Sequence, residues 1–142
     1  MIVLDANILL YAYDAASDQH TKARGWLEAT LSGRDPVGLP WQSVTAFVRI
    51  VTNPKLSGKR FTPAEAVDVV DQWLGQPNVR LLGPGEHHWS SLRQMIIEGQ
   101  ARGPLITDAQ LAALTIEHGG ILHTTDRDFS RFPGLRWQNP IA

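Results

Sequence analysis

Apolar positions in this chain fall into short runs and helical stripes that alternate from one end to the other. Ile2-Val3-Leu4 is a brief apolar run closed by Asp5-Ala6-Asn7, the pattern of a buried strand turning into a helix. Between Ser17 and Leu31, residues Ala23, Trp26, Leu27, Thr30 and Leu31 recur at helical spacing, and Gly33 follows as a stop. Pro36 to Pro40 reads as a second short strand. Val44, Phe47, Val48 and Val51 then return to helical spacing until Asn53-Pro54 interrupts them.

Thr62-Pro63-Ala64-Glu65 combines a capping box with a proline at the tolerant first helical position. It predicts a helix carrying Ala66, Val67, Val69, Val70, Trp73 and Leu74 up to Gly75. Val79 to Leu82 reads as a strand, and a helix is expected from about Glu86 to Gln100. Thr107-Asp108-Ala109-Gln110 reads as a second capping box, opening an alanine-rich helix that stops at Gly119-Gly120. Ile121 to Thr125 is a strand running into Asp126-Arg127-Asp128. Short strands alternating with helices predict an α/β fold: one domain over residues 1–142, with a short parallel sheet wrapped by helices.

Composition narrows this picture. With 142 residues and 43% hydrophobic content the chain can enclose a core, and no apolar run approaches the ~20 residues of a membrane span. Met1-Ile2-Val3-Leu4 lacks the charged start of a secretory signal, so the expected location is cytoplasmic, with no membrane partner. The absence of cysteine excludes disulfides and thiolate zinc sites. A net charge of −1 neither announces nor excludes nucleic acid, because an acidic centre with a basic rim sums to nearly zero.

The candidate chemistry is acidic. In open α/β sheets ligands gather at the carboxyl ends of strands, where strand order reverses. Asp5 and Asp126 each follow a predicted strand, and Asp108 lies in the first turn of a helix. Crowded carboxylates repel one another unless a cation intervenes, and an oxygen-only set suits Mg²⁺ or Mn²⁺. The alternative is that Asp108 is a helix-terminal charge and that Asp126 and Asp128 belong to a turn. Asp5 is harder to place that way, since an acid seldom follows a buried strand without a partner. Spacing alone leaves both readings open.

Other features carry paired readings. Lys55, Lys59 and Arg60 would grip an RNA backbone or form a solvated loop. Arg127, beside the acids, would meet substrate phosphate or pair with Asp126 or Asp128. His87-His88 cannot share a helical face, and no acid is placed to complete a site with them. The five tryptophans are expected mostly as core or interface anchors rather than base-stacking platforms, given their helical contexts.

These segments together resemble a known family. Val3-Leu4-Asp5-Ala6-Asn7 resembles the opening of PIN domains, and Ile106-Thr107-Asp108-Ala109 and Thr124-Thr125-Asp126-Arg127-Asp128-Phe129 resemble their later acidic motifs. Phe47 to Pro54 and Phe132 to Pro140 resemble segments of VapC-type toxins, particularly a mycobacterial branch. The resemblance covers residue 2 to about 140, and its ordered combination of motifs is specific. It implies a PIN-like domain acting as a Mg²⁺- or Mn²⁺-dependent endoribonuclease that hydrolyses tRNA, rRNA or mRNA with a metal-activated water. It also implies a cognate VapB-type antitoxin and a homodimer. By position, Asp5, Asp108 and Asp126 would ligate the metal, with Asp128 a further candidate. Asn7 and Thr107 would orient the carboxylates. One position departs from the pattern: many PIN domains carry a glutamate where this chain has Ala46.

Two other functions compete with the enzyme. The loss at Ala46 suits a catalytically weak PIN domain that binds RNA or antitoxin. A phosphohydrolase with Asp5 as nucleophile would want a second acid close by, and this chain has Asn7 there.

Overall fold

The computed structural model describes residues 1–55 and 60–142. Strands β1 (Ile2–Leu4), β2 (Val37–Pro40), β3 (Val79–Leu82), β4 (Ile121–His123) and β5 (Trp137–Gln138) form one sheet in the order β3-β2-β1-β4-β5. Every pairing is parallel. The helices described are α1 (Ala6–Ala12), α2 (His20–Leu31), α3 (Trp41–Val51), α4 (Pro63–Leu74), α5 (His88–Glu98) and α6 (Leu105–Glu117). A 3₁₀ turn spans Arg127–Arg131. None of these helices is long and apolar enough to cross a membrane.

Helices cover both faces, as a parallel sheet requires. Successive side chains of β1 point to opposite sides: Leu4 joins Ile8, Leu27, Phe47 and Trp73 on the α1–α4 face. Val3 joins Met95, Leu111, Leu122 and Phe129 on the face covered by α5 and α6. This two-sided burial explains why β1 reads as a continuous apolar run rather than an alternating one.

Most predicted elements are present, with shifted ends. The Thr62 capping box forms as expected, with Thr62 Oγ1 accepting from the Glu65 N–H at 3.1 Å. The Thr107 box does not form. Helix α6 begins at Leu105 behind Pro104, whose φ of −59° is already helical, so Thr107 falls inside the first turn. The helix expected from Ser17 begins at His20, because the Ser17 hydroxyl instead accepts the Gln19 N–H in a local turn. Helix α6 ends in a Schellman motif, in which Gly119 (φ 65°) and Gly120 donate to the carbonyls of Ile116 and Thr115.

The expectation that His88 lacks a partner is corrected. His88 Nδ1 lies 2.8 Å from Glu117 Oε2, a pair joining α5 to α6 that a separation of 29 positions hid in the sequence.

Candidate active site

The polypeptide fills one side of β1 first and then crosses back. β2 and β3 lie on one flank of β1, and the α5–α6 hairpin returns the chain to β4 on the other. Strand order therefore reverses between β1 and β4, and their carboxyl ends frame a crevice. Asp5 leaves the end of β1, and its N–H still donates to the His123 carbonyl of β4 at 3.1 Å.

Thr124 organises this edge. Its hydroxyl donates to Asp5 Oδ2 at 2.8 Å and accepts from Asn7 Nδ2 at 3.1 Å and from the Asp126 N–H at 3.0 Å. Asp5 Oδ1 accepts the Ala6 N–H at 2.7 Å, which caps α1. Asp126 caps the 3₁₀ turn in the same way, its Oδ1 accepting from the Asp128 N–H at 2.9 Å. Both carboxylates are thus held by backbone geometry at the points where strands turn into helices.

The first turn of α3 ties in the remaining segments. Buried Ser43 donates to the Leu4 carbonyl at 2.7 Å, just before Asp5. Gln42 Nε2 donates to the Thr107 carbonyl at 3.2 Å, just before Asp108.

The acids feel one another. Burial pushes the Asp5 carboxyl above its ordinary range, the bonds from Thr124 and Ala6 oppose that, and Asp126 adds repulsion. Asp108 is pushed up to about 6, first by burial and then by the charges of Asp126, Asp5 and Asp128, against the pull of Arg131. Among the described residues, no three acids or histidines already stand as a closed cage for an ion.

The sequence-predicted residues divide accordingly. Asp5, Asp108, Asp126 and Asp128 come within electrostatic reach of one site. Asn7 supports it through Thr124, and its Oδ1 is buried without a hydrogen-bond partner. The Thr107 side chain is exposed, and among the described residues its backbone carbonyl is the group that bonds to Gln42. Arg127 is exposed and makes no ion pair with Asp126 or Asp128 among the described residues.

Lys55 and Arg60 lie elsewhere. Lys55 follows the last turn of α3, roughly 16 Å of helix from the turn beside Asp5. Arg60 donates to the Pro54 carbonyl, and Lys59 is outside the described residues. Ala46, half-buried, sits one turn beyond Gln42 and Ser43 on the face of α3 that bonds to the acid-bearing segments.

Thr124, Ser43 and Gln42 are site residues that sequence reasoning missed. A hydroxyl two residues before an aspartate at a strand end was the available signal for Thr124. His123 was missed as well. It stacks on Trp26 at 5.4 Å, with Nδ1 donating to the Ile121 carbonyl and Nε2 accepting from Gln138. Burial lowers its pKa, and with both ring nitrogens hydrogen-bonded it acts as a post between β4 and β5.

A parallel sheet whose reversal point gathers aspartates from three separate segments is the architecture of an α/β domain with an acidic binding crevice. Residues 2–135 match the PIN domain family, and the chain belongs to it. Ribonuclease VapC37 of Mycobacterium tuberculosis is 38% identical over 142 residues, covering 100% of this chain and 99% of that protein. Ribonuclease VapC33 of the same organism is 36% identical over 141 residues, covering 99% of each. The fold is also that of a chain in the crystal structure of Rickettsia felis VapBC2 bound to a promoter DNA fragment. That likeness has a TM-score of 0.72 at 19% identity and covers 98% of each chain.

Proposed function

We propose that this chain is the endoribonuclease toxin of a VapBC-type toxin–antitoxin pair. The observation that carries the reading is the convergence of Asp5, Asp108 and Asp126 at the strand-reversal edge, where burial first and then the neighbouring acids push Asp108 up to about 6. Full-length relatives named as VapC ribonucleases support it. Solved VapBC assemblies of like fold support a VapB-type antitoxin as partner.

The donor set suits a hard divalent cation: carboxylates that repel one another, and a buried, unpartnered Asn7 Oδ1 beside them. Asp5, Asp108 and Asp126 would hold Mg²⁺ or Mn²⁺, with Asp128 at the rim. Such an ion, when bound, supplies an activated water and charge stabilisation for phosphodiester hydrolysis. The chain's own residues do the positioning. Thr124 aims Asp5 and fixes the Asp126 backbone, Asn7 holds Thr124, and exposed Arg127 stands ready for a phosphate oxygen. The RNA would be met in the cytoplasm. Exposed Trp89 and Ile97 on α5 offer apolar surface for the homodimer that the family resemblance implies.

The test is cleavage of total cellular RNA by purified, antitoxin-free protein with Mg²⁺ or Mn²⁺. Discrete fragments that vanish with a chelator and with Asp5→Asn would support the reading. Equal cleavage by Asp5→Asn would place the activity elsewhere. Ala46 favours a second reading, an RNA- or antitoxin-binding PIN domain with little catalysis. It would be supported by folded, metal-bound protein that retains partners and cuts nothing.

A further inference from the structure

The tryptophans do not all behave as core anchors. Trp73 is 1% exposed, whereas Trp41 is 53% exposed and stands at the acid edge. Strand register places it there: Val3 is level with Gly38, so Asp5 is level with Pro40, and Trp41 follows immediately. The two residues after it are the anchors of the site, Gln42 to the Thr107 carbonyl and Ser43 to the Leu4 carbonyl. The α3 first turn is therefore fixed to the segments bearing Asp5 and Asp108, and Trp41 is the member of that turn left facing solvent.

The indole lies on the side of the chain leaving β3. A Cβ at Gly83 would lie 3.5 Å from Trp41 Cδ1, so the absence of a side chain at Gly83 leaves room beside the ring.

The order β2-β1-β4 then sets three features in sequence along one edge: Trp41 after β2, Asp5 after β1, and Asp126 with Arg127, unpaired among the described residues, after β4. With strands about 4.8 Å apart, the backbones that carry the aromatic and the cation leave the sheet roughly 10 Å from each other, on either side of the one that carries Asp5. A nucleotide lying across the edge would place its phosphate at the acids and Arg127, and its base at the indole.

Resting on the ribonuclease reading, we propose that Trp41 is the platform on which a nucleobase of single-stranded RNA stacks beside the scissile phosphate. A base free to stack on a side chain must come from a single strand, loop or bulge, which names the substrate class.

The probe is a random-sequence single-stranded RNA pool carrying 4-thiouridine, bound to Asp5→Asn protein and photo-crosslinked. The crosslink is expected on the peptide containing Trp41. Trp41→Leu should weaken pool binding about tenfold, while Trp41→Phe retains most of it. In active protein, Trp41→Leu should raise KM about tenfold with kcat nearly unchanged.

Crosslinks confined to other peptides, or unchanged affinity and KM in Trp41→Leu, would overturn the proposal. So would a shift in oligomeric mass on Trp41→Leu without a change in RNA binding, which would assign the ring to a protein contact. If wild-type protein cuts no RNA yet the crosslink falls on Trp41, the ribonuclease reading fails and the platform stands.

Discussion

Thr124 Oγ1 lies 2.8 Å from Asp5 Oδ2, joining residues 119 positions apart at the seam between β4 and β1. One hydroxyl thereby serves a carboxylate, the buried Asn7 amide and the Asp126 backbone N–H. Replacing Thr124 by the near-isosteric valine removes all of these bonds at once. Thr124→Val should cost on the order of 2 kcal/mol in denaturant unfolding, because it strands buried polar groups. It should weaken Mn²⁺ binding by roughly tenfold or more. Thr124→Ser should restore both.

Asp108 makes stability depend on pH with a definite sign. Its folded pKa of about 6 lies above its ordinary value of 3.8, so between these the folded state binds more protons than the unfolded. Metal-free protein should therefore lose stability as pH rises from about 4 through 6. After solvent screening the loss is about 1 kcal/mol or less. His123, its pKa lowered by burial, contributes with the opposite sign, so the check is the difference in thermal unfolding between wild type and Asp108→Asn across that range without divalent ions. A wild-type Tm that does not fall relative to Asp108→Asn would contradict the assignment.

The same repulsion predicts opposite effects of one substitution in two conditions. At neutral pH, Asp108→Asn should raise the Tm of metal-free protein, because it removes a charge that burial and the other acids disfavour. It should also abolish most of the Tm gain on adding Mn²⁺ and reduce RNA cleavage by about a hundredfold or more. Paired melting curves with and without the ion separate these effects.

Ala46 shares a face of α3 with the residues that bond to the acid-bearing segments. Ala46→Glu should tighten Mn²⁺ binding by about tenfold and destabilise metal-free protein by adding another carboxylate. Calorimetric titration reads the first effect. Unchanged affinity would show that this position does not face the metal.

The seam between β1 and β4 also depends on the absence of a side chain. A Cβ at Gly120 would come within 2.5 Å of Val3 Cγ2 and 3.2 Å of the Met1 carbonyl oxygen. Gly120→Ala should therefore cost about 1–3 kcal/mol in unfolding free energy. Some loss of metal affinity should follow, since β4 leads directly to Thr124 and Asp126.

Local pattern made much of this molecule legible. The apolar runs at β1, β2, β3 and β4 and the Thr62 cap depend on neighbours within a few residues, so single-chain chemistry sufficed to find them. Asp5, Asp108 and Asp126 stood out through the ordered motifs that resemble PIN domains, whereas spacing alone left them room as helix-terminal groups, and Asp5 and Asp126 do cap the elements that follow them. The Thr107 box was misread because Pro104, three residues before Thr107, offered a competing start. β5, only Trp137–Gln138, is too short to carry any pattern.

By itself, then, the sequence determined the segments of β1 to β4 and most of the helices, and which carboxylates stand at their ends, since both are written in short-range spacing. Tertiary structure alone decided that β4 lies beside β1, that Thr124 links Asp5 to Asp126, and that His88 pairs with Glu117. It also decided that Trp41 stays in solvent while Trp73 is buried. Those facts depend on contacts between distant segments, which form only when both faces of the sheet are packed and strand order is set.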